Sequence, residues 1–197
     1  MSLRAVLVVC HPNPGSFTHA AAVAASAGLQ RGGHDVTTLD LYGMGFQPAM
    51  TDAERHAYHS DTPVIDPLVA ESVAALSTAE MLVFVYPTWW SGLPAMLKGW
   101  LEKTMVPGVA FVFDADGKVR PGLQRVRRIV GISTYGSPRT SVAVVNDNGR
   151  RILARALRLN TGFRTRCTWL GLYAVDSSTP DDRANFLARI EHRLAAL

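Results

Sequence analysis

Cysteine is scarce. Cys10 and Cys167 are the only two in 197 residues, too few for the disulfide framework of a small secreted scaffold or for a cysteine-rich zinc site. Each lies in a hydrophobic segment, which predicts two buried thiols in a reducing compartment, a cytoplasmic location and no metal site. Long apolar runs are also lacking. The run Ala5 to Cys10 stops at His11-Pro12, far short of the roughly 20 residues of a membrane helix, and it lacks a signal-peptide layout. Neither GxGxxG nor GxxxxGKS/T follows it, so a dinucleotide Rossmann turn and an ATP-type P-loop are both unsupported. Acidic residues are outnumbered, giving a net charge of +4, with arginines clustered at Arg120 to Arg128 and Arg150 to Arg166. Those clusters hold few aromatics and match no nucleic-acid module, which argues against a nucleic-acid partner. They suit anionic ligands such as nucleotides at least as well.

What is present is a regular alternation. With 48% hydrophobic and 18% charged residues, the chain has the composition of one globular domain, 1–197, able to bury a substantial core. Arg4 to Cys10 (RAVLVVC) reads as a buried parallel strand. An Ala-rich helix, Thr18 to Gln30, follows and ends at Gly32-Gly33, and His34 to Leu41 gives a second strand. Thr51-Asp52-Ala53-Glu54 has the spacing of a capping box, and a further helix is expected from Asp66 to Ser77. Met81 to Tyr86 is the most apolar strand, closed by Pro87. Pro94 to Thr104 is a helix that starts on proline, where a missing N–H does no harm. Ala110 to Lys118 reads as a small excursion with a turn. Arg128 to Ile132 is a fourth strand, Thr165 to Val175 contains a fifth, and an amphipathic helix runs from Pro180 to Ala196. The pattern predicts an α/β fold: an open, mostly parallel five-stranded sheet with helices on both faces. Ligands of such sheets bind beyond the carboxyl ends of the strands, where the strand order switches.

Three loops fall at that edge. The first, His11-Pro12-Asn13-Pro14-Gly15-Ser16-Phe17-Thr18, offers free helix N–H groups, two hydroxyls and an imidazole, the groups a phosphate needs. The same residues also describe an ordinary helix capped by Ser16 or Thr18. The second loop, Pro87-Thr88-Trp89-Trp90-Ser91-Gly92-Leu93-Pro94, puts two indoles just past a buried strand, a wall for a flat ring system. The competing reading is that both tryptophans pack in the core, as Trp100 in the following helix is expected to do. The third, Ser133-Thr134-Tyr135-Gly136-Ser137-Pro138, supplies hydroxyls, backbone N–H dipoles and one aromatic ring, suited to negative charge developing on a reduced ring. Gly131-Ile132-Ser133-Thr134-Tyr135 approaches the GxSxG nucleophile elbow of serine hydrolases. The last glycine is missing and no triad partners can be assigned, so a hydrolase is disfavoured.

Two stretches resemble the NAD(P)H:quinone oxidoreductase family, the flavodoxin-like group that includes DT-diaphorase. They are His11-Pro12 with Ser16-Phe17, and Pro87-x-x-Trp90-x-x-x-Pro94-Ala95-x-Leu97-Lys98-Gly99-Trp100. The resemblance implies a flavodoxin-like fold and a bound flavin. By that likeness the flavin is FAD, with FMN as the alternative, and NADPH or NADH is the hydride donor. It assigns the flavin phosphates and ribityl chain to His11, Ser16, Phe17 and Thr18, and the ring to Pro87, Thr88, Trp89, Trp90, Ser133, Thr134, Tyr135 and Gly136. It also implies a homodimer and a quinone-like, electron-deficient acceptor, reduced by two-electron hydride transfer in a ping-pong cycle. One departure stands out. Tyr135 replaces the first of the family's glycine pair, while Ser141 and Asp147 fall where a catalytic tyrosine and histidine are expected, so no catalytic residue carries over. A flavin-binding regulatory or electron-carrier protein would use the same fold and cofactor.

Overall fold

The computed structural model describes residues 2–197. Strand β1 (Arg4–Val9) leads through the first loop into α1 (Phe17–Arg31), and β2 (Asp35–Asp40) completes a βαβ unit. Helices α2 (Asp52–Ala57) and α3 (Pro67–Thr78) precede β3 (Met81–Pro87), which is followed by α4 (Ala95–Thr104). A short antiparallel hairpin, β4 (Phe111–Phe113) and β5 (Val119–Pro121), then leads to β6 (Arg128–Thr134). After it come α5 (Arg139–Val144) and α6 (Asn148–Arg151), which runs into a π-helical turn at Ile152–Leu157. β7 (Arg166–Leu172), a 3-10 turn at Val175–Ser177 and α7 (Pro180–Ala195) finish the chain.

Five strands make one parallel sheet in the order β2-β1-β3-β6-β7. From β1 the chain first moves outward to β2 and then returns past β1 to β3. The switch in direction lies between β1 and β3, where the crevice of a doubly wound sheet opens. The two central strands look uniformly apolar in sequence because both of their faces are buried. Val6, Val8 and Cys10 join one core with Leu82, Phe84, Tyr86 and Trp100. Ala5, Leu7 and Val9 join the other with Met81, Val83, Val85 and residues of α1 and α7.

Local chemistry sets the ends of the elements. Ser16 caps α1, its Oγ accepting from the His19 N–H at 3.3 Å, which settles the choice between Ser16 and Thr18. Thr51 and Glu54 form the expected capping box of α2, and Thr179 with Asp182 forms another at α7. Gly28 is required where α1 crosses α7, since a Cβ there would come within 2.5 Å of the Glu191 carbonyl. Trp100 is fully buried, as expected, and donates from Nε1 to Ser72 Oγ at 3.0 Å.

As expected, Pro87 closes β3, as its last residue in register with Thr134, a position where its missing N–H costs little. One expectation needs correction. Cys167 is exposed, because β7 is an edge strand and lacks a second neighbour to cover it. Burial does hold for Cys10, and pushes its thiol up to about 12. The segment between the third loop and β7 is largely helical.

A polar knot pins the long loop after β2. Lys103 Nζ lies 2.7 Å from Glu54 and 3.0 Å from Asp66, with all three side chains largely buried. It also donates to the Gln47 carbonyl at 3.0 Å. The loop lies so close to α4 that a Cβ on Gly99 would meet the Pro48 carbonyl at 2.2 Å.

Candidate functional site

The three loops converge at the carboxyl edge of the sheet because β1, β3 and β6 are adjacent and parallel. Their register continues into the loops: Thr88 N donates to Thr134 O at 2.8 Å, and Tyr135 N donates to Leu172 O at 2.8 Å. Thr88 Oγ1 and Ser133 Oγ are 2.8 Å apart, tying the second loop to the third.

In the first loop, the residues from Pro12 to Gly15 are exposed, and no acidic side chain occupies the first turn of α1. The Ser16 hydroxyl is also 3.1 Å from His19 Nδ1, and His19 Nε2 is 3.1 Å from Asp40. The cap is thereby held by a chain of side chains reaching to the end of β2. The start of a fifteen-residue helix, carrying partial positive charge and open to solvent, fits a phosphate. His11 turns its ring toward Trp89, with centroids 5.8 Å apart, which connects the first loop to the second.

In the second loop, Trp90 is completely exposed and Trp89 is 43% exposed, so neither packs in the core. Trp90 and Ser91 both have positive φ, 48° and 58°, and the loop closes on itself through a Trp89–Gly92 bridge. Non-glycine residues in this region carry a conformational cost and are enriched at functional sites. That backbone lifts the indole of Trp90 out over a cleft.

The cleft has a volume of about 300 Å³ and lies between the second and third loops. Thr88, Trp90, Tyr135 and Gly136 line it, together with Ser141 and Asp147. Tyr135 is almost fully buried, and its ring stacks on Tyr173 with centroids 4.6 Å apart. Its Oη donates to the Asp147 carboxylate, at 3.1 and 3.2 Å from the two oxygens, and accepts from Trp169 Nε1 at 2.9 Å. Burial, and then the charge of Asp147, hold the Tyr135 phenol above its ordinary range. Tyr86, below it, is also shifted up by burial.

Not every expected residue meets in this cleft. Ser16 and Thr18 stand at the start of α1, and Phe17 turns away, its ring 6.2 Å from that of Phe186 on α7. Ser133 is buried beneath the loops, and Thr134 contributes its carbonyl to the ladder. Ser91 and Ser137, members of the second and third loops, also line the cleft, as do Val142 and Val145, which were not anticipated. A signal existed in the run Asn146-Asp147-Asn148-Gly149: Asn and Asp tolerate left-handed backbone, and Asn146 and Asp147 adopt it, with φ of 69° and 44°. Such a turn returns the chain to the sheet edge.

The donor set fits a flavin. An open helix start with hydroxyls suits its phosphate. Exposed indoles beside a cleft edged with hydroxyls and backbone N–H groups suit its ring. Among the described residues there is no group of three or more His, Cys, Asp or Glu able to hold a metal, and no helix is long and apolar enough to cross a membrane.

Comparison with known proteins bears on these features. Residues 4–196 match the model of the flavodoxin-like fold family. NAD(P)H dehydrogenase [quinone] 1 of Rattus norvegicus is 30% identical over 97% of this chain and 76% of its own length. The NAD(P)H:quinone oxidoreductase from Methanothermobacter marburgensis superposes with a TM-score of 0.81 at 22% identity, covering 99% of this chain and 95% of that one. An FMN-dependent NADH-azoreductase from Bacillus anthracis, solved in complex with FMN, superposes with a TM-score of 0.72 at 14% identity over 98% of both chains. With the strand order, the three converging loops and these matches in agreement, the chain belongs to the flavodoxin-like fold family and, within it, to the NAD(P)H:quinone oxidoreductases.

Proposed function

We propose that the protein is a flavin-dependent NAD(P)H oxidoreductase that reduces quinones or similar electron-deficient aromatic acceptors. The observation that carries this reading is the cleft beside the exposed Trp90, set at the switch edge of the sheet next to the open start of α1. When bound there, a flavin supplies two-electron hydride acceptance from the nicotinamide and hydride donation to the acceptor. The protein's part is positional. Phe17 and Thr18 N–H groups with Ser16 hold phosphate, while Trp89, Trp90 and the Thr88 to Pro87 backbone border the ring. Tyr135 and Gly136 would close the opposite side. Orienting each reactant in turn over the flavin ring would lower the entropy cost of its encounter with that ring.

FAD is our preferred cofactor. A second cavity, of about 490 Å³, opens between the end of β7 and α7, lined by Phe186, Asn185 and Arg189 among others. It adjoins Phe17 through the Phe186 ring, where the second nucleotide half of FAD would continue from the first loop. FMN, which the azoreductase neighbour binds, would leave this cavity unused. Heating the purified protein and separating the released flavin by chromatography decides between them. Adding NADPH or NADH without oxygen is expected to bleach the yellow protein within seconds. Colour that persists with both donors would sink the reading.

Residues 1–197 act as one domain in this proposal, both cores lying against one sheet. A homodimer is supported by the exposed Val144 and Val145, apolar side chains that a second copy would cover. The free state of Cys10 and Cys167 supports the reducing cytoplasm.

A further inference from the structure

The chain's positive charge suggests anionic ligands, yet the cleft holds a carboxylate. Asp147 is the only acidic residue between Lys118 and Val175, and it lines the cleft rather than the outer surface. Two consecutive non-glycine residues in left-handed backbone, Asn146 and Asp147, place it there.

Hydrogen bonding fixes how this carboxylate is presented. An indole N–H can only donate, so the 2.9 Å contact from Trp169 Nε1 occupies the Tyr135 oxygen as an acceptor. The single phenolic proton is then directed to Asp147, bridging its two oxygens. Each carboxylate oxygen keeps further acceptor capacity, and the chain of donors ends on it. Among the described residues Asp147 forms no ion pair. Arg150, three residues on, has its guanidinium over the Trp169 ring at 5.8 Å, and Tyr135 stays protonated because burial raises its pKa. The cleft therefore meets its occupant with an uncompensated negative charge.

We propose that Asp147 is the charge filter of the cleft. It admits flat aromatic acceptors that are neutral or cationic, holds those that carry an N–H or O–H donor, and turns away carboxylated or sulfonated ones. Tyr135 is its positioning residue. The inference rests on the proposed function, with the acceptor entering the open side of this cleft beside the flavin ring, and it narrows the acceptor class within that reading.

The test is a matched set of 1,4-naphthoquinones bearing a sulfonate, no charge, or a trimethylammonium group. Their dissociation constants are measured by quenching of tryptophan fluorescence, without hydride donor. In the unaltered protein the sulfonate is expected to bind at least about tenfold more weakly than the ammonium compound, equivalent to about 1.4 kcal/mol. The ratio should shrink as salt rises. In Asp147→Asn and Asp147→Ser it should fall to about twofold or less, the residue of the surrounding field. A ratio compares ligands on the same folded molecules, so partial unfolding of a variant does not alter it. Equal affinities in the unaltered protein, or an undiminished ratio in both variants, would overturn the filter. If the uncharged naphthoquinone binds but NAD(P)H never reduces it, the proposed activity fails while the filter stands. If it is reduced without charge discrimination, only the filter fails.

Discussion

On the β1 side of the ligand edge, the groups offered to a ligand are backbone N–H dipoles at a helix start, and the backbone that offers them is relaxed. On the β6 side they are side chains, Tyr135, Ser141 and Asp147, carried on backbone with two adjacent left-handed residues and followed by a π-helical turn. The first arrangement needs only a capped helix after a strand and tolerates changes of side chain. The second depends on the identity of each residue and on Trp169 from a neighbouring strand. In the proposed function the cofactor's phosphate would thus be held by backbone groups, and the acceptor would be met by side chains of defined identity.

The sharpest way to break this contrast is to loosen the regular side and look for damage on the other. Lys103→Met leaves Glu54 and Asp66 buried without their cation and should cost about 3 to 5 kcal/mol in urea unfolding, with the charge discrimination of the cleft unchanged in the folded fraction. The pH dependence supplies a second check. Burial alone would raise Glu54 and Asp66, but hydrogen bonds and charge from Lys103, together with backbone N–H groups, hold both below their ordinary values of 4.5 and 3.8. Their contribution is therefore complete above those values and is lost as pH falls through the lower folded ones. Burial alone would lower Lys103, but the two carboxylates raise it above 10.5, so its share is lost only as pH climbs through that raised value. Unfolding compared at neutral pH and at about pH 3, below both ordinary values, should show a steep acid loss in the unaltered protein. In Lys103→Met the loss should be weakened or reversed, since unpaired buried carboxylates favour protonation.

Tyr135→Phe tests the side-chain flank directly. It strips Trp169 Nε1 of its acceptor and Asp147 of its donor, and is expected to cost about 1 to 3 kcal/mol in thermal or urea unfolding. A cost near zero would mean that the phenol chain is not a structural support of the cleft. Ser16→Ala, on the backbone flank, should lose about 1 kcal/mol of stability with the cap. Flavin affinity, followed by equilibrium dialysis, should weaken only modestly because the N–H groups remain; complete loss of flavin would contradict a backbone-built site. Trp90→Ala should change stability by less than about 0.5 kcal/mol, as expected for a fully exposed side chain. Turnover of a neutral quinone should nevertheless fall several-fold, measured as kcat/KM. An unchanged kcat/KM would remove Trp90 from the site.

Legibility followed the same divide. Strands could be read at Arg4 to Cys10 and Met81 to Tyr86 from short apolar runs, the α2 start from the capping box of Thr51 and Glu54, and the α1 cap as either Ser16 or Thr18, because these depend on neighbours a few residues away. The Pro87 to Trp100 stretch carried the family likeness for the same reason: it is contiguous. Between Ser137 and Phe163 the signal vanished. The helices there are short, the π turn breaks the 3.6-residue period, and the left-handed turn at Asn146-Asp147 leaves only a compositional trace.

The amino-acid sequence by itself determined an α/β parallel sheet, the edge at which such sheets bind ligands and the start of the first helix, since local periodicity and capping are enough to specify them. Only the tertiary structure decided that Cys167 is exposed, that Trp90 stands out over a cleft, and that Tyr135 meets both Asp147 and Trp169 there. Those contacts join residues 12 to 34 positions apart through the pairing of β6 with β7, and no local pattern encodes them.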